Sequence, residues 1–108
     1  MPAQTEPGCF DDPQTASIQL PDGGNAIGPY YTSDRCGFIA VQLTYVRYQT
    51  DARACVETPD GVTVSCRTWQ YMPYPGWQKL DSGAASGTRY RLEFRTQPGE
   101  TLSYEVVA

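Results

Sequence analysis

The chain contains no histidine. That removes the Ser/His/Asp and Cys/His arrangements, which need an imidazole to take the nucleophile's proton. Basic residues are scarce: eight Lys and Arg stand against twelve Asp and Glu, for a net charge of −4 and a pI near 4.5. Nucleic acid is therefore not an expected partner, because binding phosphates needs a basic footprint. No apolar run is long enough for a membrane span or a signal peptide. If the protein is secreted, a leader has been removed and Met1 is an expression start. CxxC pairs are missing too, and a four-cysteine zinc site needs its ligands in closer pairs. Neither a metal nor a cofactor is expected.

What remains suits a small folded domain. A chain of 108 residues has room for one modest core, and its apolar fraction is 40%. Charge is unevenly placed. Residues 1 to 34 hold Glu6, Asp11, Asp12, Asp22 and Asp34 and no base, while the remainder has eight bases against seven acids. Five of the nine prolines (Pro2, Pro7, Pro13, Pro21 and Pro29) also lie there. Residues 1–14, without periodicity, are expected to form an extended acidic arm; residues 15–108 are the domain.

The domain reads as strands. Residues 15–20 (TASIQL) alternate, with Ala16, Ile18 and Leu20 on one face, and end at PDGGN, a strong turn signal. Residues 25–35 read as loop. CGFIAVQLTYVRYQ, residues 36–49, is the longest strand, with Ile39, Val41, Leu43 and Tyr45 facing in; its length predicts a bend or bulge near Gln42. WQKLDSG gives a short strand. TRYRLEFRT places Tyr90, Leu92 and Phe94 inward and Arg89, Arg91, Glu93 and Arg95 outward; LSYEVV places Leu102, Tyr104 and Val106 inward. No segment keeps helical spacing for more than a turn. The fold class is all-β: a small antiparallel β-sandwich with an extended N-terminal arm.

Four cysteines, at 9, 36, 55 and 66, suggest two disulfides and an oxidising compartment, with three connectivities open. RACVET and VTVSCRTW flank Pro59-Asp60-Gly61, the strongest hairpin signal in the chain. With Asp60-Gly61 as a two-residue loop, Cys55 falls opposite Cys66. With Thr58 to Gly61 as a type I turn and glycine bulge, which suits Pro59 better, the cysteines are offset by one. Either way they are neighbours. The expected bridges are Cys55–Cys66 and Cys9–Cys36, the second closing a long loop and stabilising by about 3 kcal/mol.

Few residues offer chemistry. Asp11-Asp12 is the one adjacent carboxylate pair, and it reads as a solvated turn, since a catalytic acid needs burial to raise its pKa. Residues 11–15 also have the oxygen-rich look of a calcium loop, but Ala16 stands where another hydroxyl would help. Arg89, Arg91 and Arg95 read as a solvated sheet face, with a contact row for an acidic partner or the chain's own arm as the alternative. No enzyme is expected.

TWQYMPYPGW, residues 68–77, stands out. Pro73 and Pro75 forbid a regular ladder, so residues 70–76 are expected as surface loop. Trp69 and Trp77 are expected mostly in the core. Tyr71, Met72 and Tyr74 are expected at contact, since Tyr and Met bring large area at small entropic cost.

PGWQKLDSGAASGTRYRLEFR followed by PGETLSYEVVA resembles the C-terminal half of small secreted actinobacterial β-sandwich proteins, notably the tendamistat-type α-amylase inhibitors. The likeness is one of layout and spans residues 36–108. It implies a two-disulfide, non-enzymatic, extracellular chain. That family inhibits through a displayed Trp-Arg-Tyr triplet; the nearest match is Trp69-Gln70-Tyr71, with Gln for Arg and on the wrong side of the fourth cysteine. Cys66 also comes too early for the family's last cysteine. The fold class carries over and amylase specificity does not. The chain also resembles small adaptor subunits of secreted actinobacterial assemblies, including toxin particles.

The expected function is thus a secreted, non-catalytic protein-binding module, either an inhibitor of a secreted hydrolase or an adaptor. Its expected contact residues are Trp69, Gln70, Tyr71, Met72, Tyr74 and Trp77, with Asp11 and Asp12 of the arm. A carbohydrate-binding module is the rival, with exposed aromatics stacking on a polysaccharide.

Overall fold

The computed structural model describes residues 9–11, 13–82 and 85–108. Among these described residues, nine strands make two antiparallel sheets. They are β1 (Gln14–Leu20), β2 (Gly24–Tyr31), β3 (Phe38–Tyr45), β4 (Asp51–Glu57), β5 (Thr63–Cys66), β6 (Gln70–Tyr71), β7 (Trp77–Ser82), β8 (Arg89–Arg95) and β9 (Glu100–Val107). One sheet has the order β1-β9-β3-β7. The other has the order β2-β8-β4-β5, with β6 also on β4.

The core lies between the sheets and follows the period-2 pattern. Tyr90, Leu92 and Phe94 of β8 are buried against Leu102, Tyr104 and Val106 of β9, with Ile39, Val41 and Leu43 of β3 beside them. Each buried aliphatic chain contributes about 1.5–3 kcal/mol. Phe94 meets Tyr104 across the sandwich, ring centroids 4.8 Å apart. The tyrosine hydroxyls, costly to bury alone, are partnered: Tyr104 shares a hydrogen bond with Tyr30 (2.8 Å), and Tyr90 donates to Asp81. Among the described residues no buried side-chain polar atom is left unsatisfied.

Both disulfides are the expected ones, Cys9–Cys36 and Cys55–Cys66. The hairpin combines features of both turns considered. Gly61 N–H donates to the Thr58 carbonyl (2.9 Å), and Gly61 has φ +90°, so Thr58 to Gly61 is the turn. Cys55 nevertheless stands opposite Cys66, because a register shift beyond Val56 leaves Val64 unpaired and absorbs the offset.

Four expectations need correction. Residues 25–35 are not all loop, since β2 runs through Tyr31. It lies on the sheet edge, where a missing N–H does no harm, and its register shifts between Ile27 and Tyr30 around Pro29. Gly28 suits the close approach there, because a Cβ would sit a tight 3.0 Å from the Tyr90 carbonyl oxygen. The long strand stops at Tyr45 rather than Gln49. Its register shifts at Ile39/Ala40 and at Leu43/Tyr45, either side of Gln42, and the second shift turns Tyr45 outward. Residues 70 and 71 are strand, not loop: the ladder on β4 continues until Pro73 ends the supply of N–H groups. Fourth, the Arg89, Arg91 and Arg95 row is not an open basic face. Register sets Arg89 opposite Glu57 and Arg95 opposite Asp51, and both form ion pairs, at 3.1 and 3.2 Å.

Candidate functional site

An aromatic-walled recess lies where β3 hands over to β4. After Tyr45 the chain crosses in a short loop, Val46 to Thr50. Beside it runs the segment from β6 to β7. Together they enclose a cleft of about 190 Å³, floored by Leu43, Val46 and Met72 and walled by Tyr48, Tyr71 and Tyr74, with Arg47, Gln49 and Thr50 completing it.

Backbone hydrogen bonding holds this shape. Asp51 pairs with Tyr71, and the Met72 N–H donates to the Thr50 carbonyl (2.9 Å), so the two segments are sewn side by side. Thr50 is buried and donates its hydroxyl to the Tyr48 carbonyl (3.0 Å). Thr96 does the same for the Gln49 carbonyl (3.0 Å). The Tyr74 hydroxyl donates to the Thr44 carbonyl (3.3 Å), tethering the proline-rich loop to β3. Pleating then decides direction: Tyr71 is 59% exposed, Met72 2% and Tyr74 53%.

The expected contact residues therefore separate. Tyr71 and Tyr74 come together in the cleft. Met72 is a core residue, contrary to expectation, because it follows β6 in register and points between the sheets. Gln70 lies in the seam between the two sheets, bonded to Gln78 and to the Leu80 carbonyl. Neither tryptophan belongs to the central core. Trp69 lies half-buried on the outer face of the second sheet, with the Arg53 and Arg95 guanidinium groups 4.5 and 4.2 Å from its ring centroid. Trp77 lies half-buried outside the first sheet, where Phe10 packs edge-on at 4.9 Å. The Trp69-Gln70-Tyr71 triplet thus points three ways and is not a displayed unit. Asp11 is exposed, and Asp12 lies outside the described residues.

Sequence reasoning passed over Tyr45, Arg47 and Tyr48. Tyr45 and Tyr48 are about half exposed, at the end of β3 and in the loop that follows it. The signal was the string YVRY itself, placed inside a strand that in fact ends at its first residue. Cys55, Cys66 and Glu93 bring two sulfurs and a carboxylate oxygen within 4.8 Å of one another, but the sulfurs are bonded to each other and cannot serve as thiolate ligands.

No known protein family matches the chain, and neither does any curated protein. Two solved structures of infectious bursal disease virus resemble it. The Gx strain structure does so at 16% identity and TM-score 0.43, the Gt strain structure at 17% and 0.38. Each match covers 89% of this chain but only 29% and 28% of the viral chains, so the chain spans under a third of their length.

Proposed function

We propose that this chain is a secreted, non-catalytic protein-binding module that works as an adaptor, receiving part of a partner protein in the tyrosine cleft. One observation carries the reading: two segments, far apart in sequence, place Tyr48, Tyr71 and Tyr74 around a single apolar floor. Tyrosine is enriched at protein interfaces because it offers a large rigid surface with a polar tip. An inhibitor that plugs a hydrolase would need its aromatics to protrude. Here they line a recess, which favours the adaptor over the inhibitor. Two disulfides in a small domain suit an oxidising, extracellular setting.

The test is affinity capture from culture medium of the source organism, with wild-type protein and the Tyr71→Ala/Tyr74→Ala variant. Stoichiometric recovery of one protein by the wild type, lost in the variant, is the expected outcome. Equal recovery by both would place binding elsewhere and sink the assignment of the cleft.

A further inference from the structure

Taking the cleft as the binding site, we infer that its occupant is an extended, proline-containing acidic segment of the partner. This inference rests on the adaptor reading and narrows it.

Size comes first. The cleft, at about 190 Å³, is below the roughly 300–1,000 Å³ of small-molecule sites, so it fits a side chain or two rather than a cofactor. Wall chemistry comes second. Flat aromatic rings around an apolar floor are how proline-rich segments are bound, since a polyproline II strand is already ordered and loses little entropy on docking. Such a strand makes no internal hydrogen bonds, so its carbonyls are free. The hydroxyls of Tyr48 and Tyr71 have no hydrogen-bond partner among the described residues and can donate to them.

Charge selects within that class. Among the described residues, Arg47 is the one charged residue lining the cleft. Its side chain is 61% exposed, and its ion pair with Glu100, at 3.8 Å, is the longest among the described residues. The other described arginine–carboxylate pairs are closer, between 2.6 and 3.6 Å. The Arg47 guanidinium also lies 5.7 Å from the Tyr48 ring centroid, on that wall of the cleft. A carboxylate next to proline in the incoming segment would meet a cation that the fold itself leaves weakly engaged.

The experiment titrates the intact protein into fluorescein-labelled synthetic peptides and reads anisotropy. The probes are Glu-Pro-Pro repeats, Lys-Pro-Pro repeats and Glu-Gly-Gly repeats. We expect saturable binding of the first, about tenfold weaker binding of the other two, and loss with Tyr48→Ala or Tyr71→Ala. Arg47→Glu should weaken the Glu-Pro-Pro peptide about tenfold and reverse the charge preference. Thermal melts of each variant separate lost binding from lost folding, and nitrogen-15 shift mapping on the wild type needs no variant. Equal binding of acidic and basic repeats, or shift changes away from the cleft, would overturn the inference. If Tyr71→Ala/Tyr74→Ala abolishes capture of a protein partner while no Glu-Pro-Pro peptide binds, the peptide class is wrong and the adaptor reading stands. If neither partner nor peptide depends on the tyrosines, both fall.

Discussion

Arg53 of β4 and Glu93 of β8 stand directly opposite each other, with the guanidinium Nε 2.6 Å from the carboxylate. The contact belongs to a ladder: Asp51 faces Arg95, Arg53 faces Glu93, and Glu57 faces Arg89. Cys55 takes the remaining rung opposite Arg91, whose guanidinium reaches sideways to Glu93 at 2.7 Å and to Glu57 at 3.6 Å. Trp69 packs against Arg53 and Arg95.

The rungs should differ in strength. Glu93 is held by two arginines with its side chain only 16% exposed, whereas Arg95 and Asp51 are 52% and 31% exposed. Glu93→Gln is expected to cost about 1–3 kcal/mol, because it strips a hydrogen-bonded charge from two part-buried partners. Asp51→Asn should cost under about 1 kcal/mol. Urea unfolding of the two variants measures both, and an equal loss would contradict the ladder.

Stability should fall at both ends of the pH scale. Burial pushes the Glu93 carboxyl up, but hydrogen bonds from Arg53 and Arg91 outweigh it and hold its pKa below the usual range. For Asp81, burial is likewise outweighed, by the Tyr90 hydroxyl, Arg67 and the Ser82 N–H. A lowered folded pKa contributes stability above the unfolded value, about 4, and that contribution is lost as pH falls through the folded value. Tyr90 behaves oppositely. Burial first, then Asp81, pushes its hydroxyl up to about 12. Its contribution is complete below the unfolded value, about 10, and is lost as pH rises toward the folded one. Urea midpoints against pH should drop on both limbs. Glu93→Gln should flatten the acid limb and Tyr90→Phe the alkaline one.

Adjacent residues of the aromatic stretch 68–77 should respond very differently to truncation. Met72→Ala should cost about 2–5 kcal/mol, since it opens a cavity in the core. Tyr71→Ala should change stability by no more than about 0.5 kcal/mol. Thermal or urea unfolding decides. A small effect at Met72 would return that residue to the surface.

Phe10 and Trp77 tie the start of the described chain to the outer face of β7. Phe10 also lies 5.8 Å from the Phe38 ring, itself capped by the Lys79 ammonium at 4.3 Å. Phe10→Ala should shift tryptophan emission to longer wavelength as Trp77 gains water, with a stability loss of about 0.5–1.5 kcal/mol. An unchanged spectrum would mean that the segment does not cover Trp77 in solution.

Much of the fold was legible in the sequence, for physical reasons. Alternation in RYRLEFR and LSYEVV names the buried faces, because a pleated strand sends successive side chains to opposite sides. The charge ladder was also present in the letters. Read backwards, DARACVE lays Glu57, Arg53 and Asp51 against Arg89, Glu93 and Arg95. Nothing local marks those two segments as neighbours, so the match becomes visible only once pairing is known. Tyr45, Tyr48, Tyr71 and Tyr74 pose the same difficulty. Two of them sit at the end of one apolar run and two in a proline-rich stretch more than twenty positions on, with no pattern linking them.

By itself, then, the sequence determined the strand periodicities, the turn at Pro59-Asp60-Gly61, the proximity of Cys55 to Cys66 and the missing imidazole chemistry. All of these depend on neighbours in the chain. Tertiary structure alone decided that Met72 faces inward, that both tryptophans lie outside the core and that Tyr48, Tyr71 and Tyr74 share one cleft. Those outcomes depend on register, and a shift of one residue reverses which face a side chain takes.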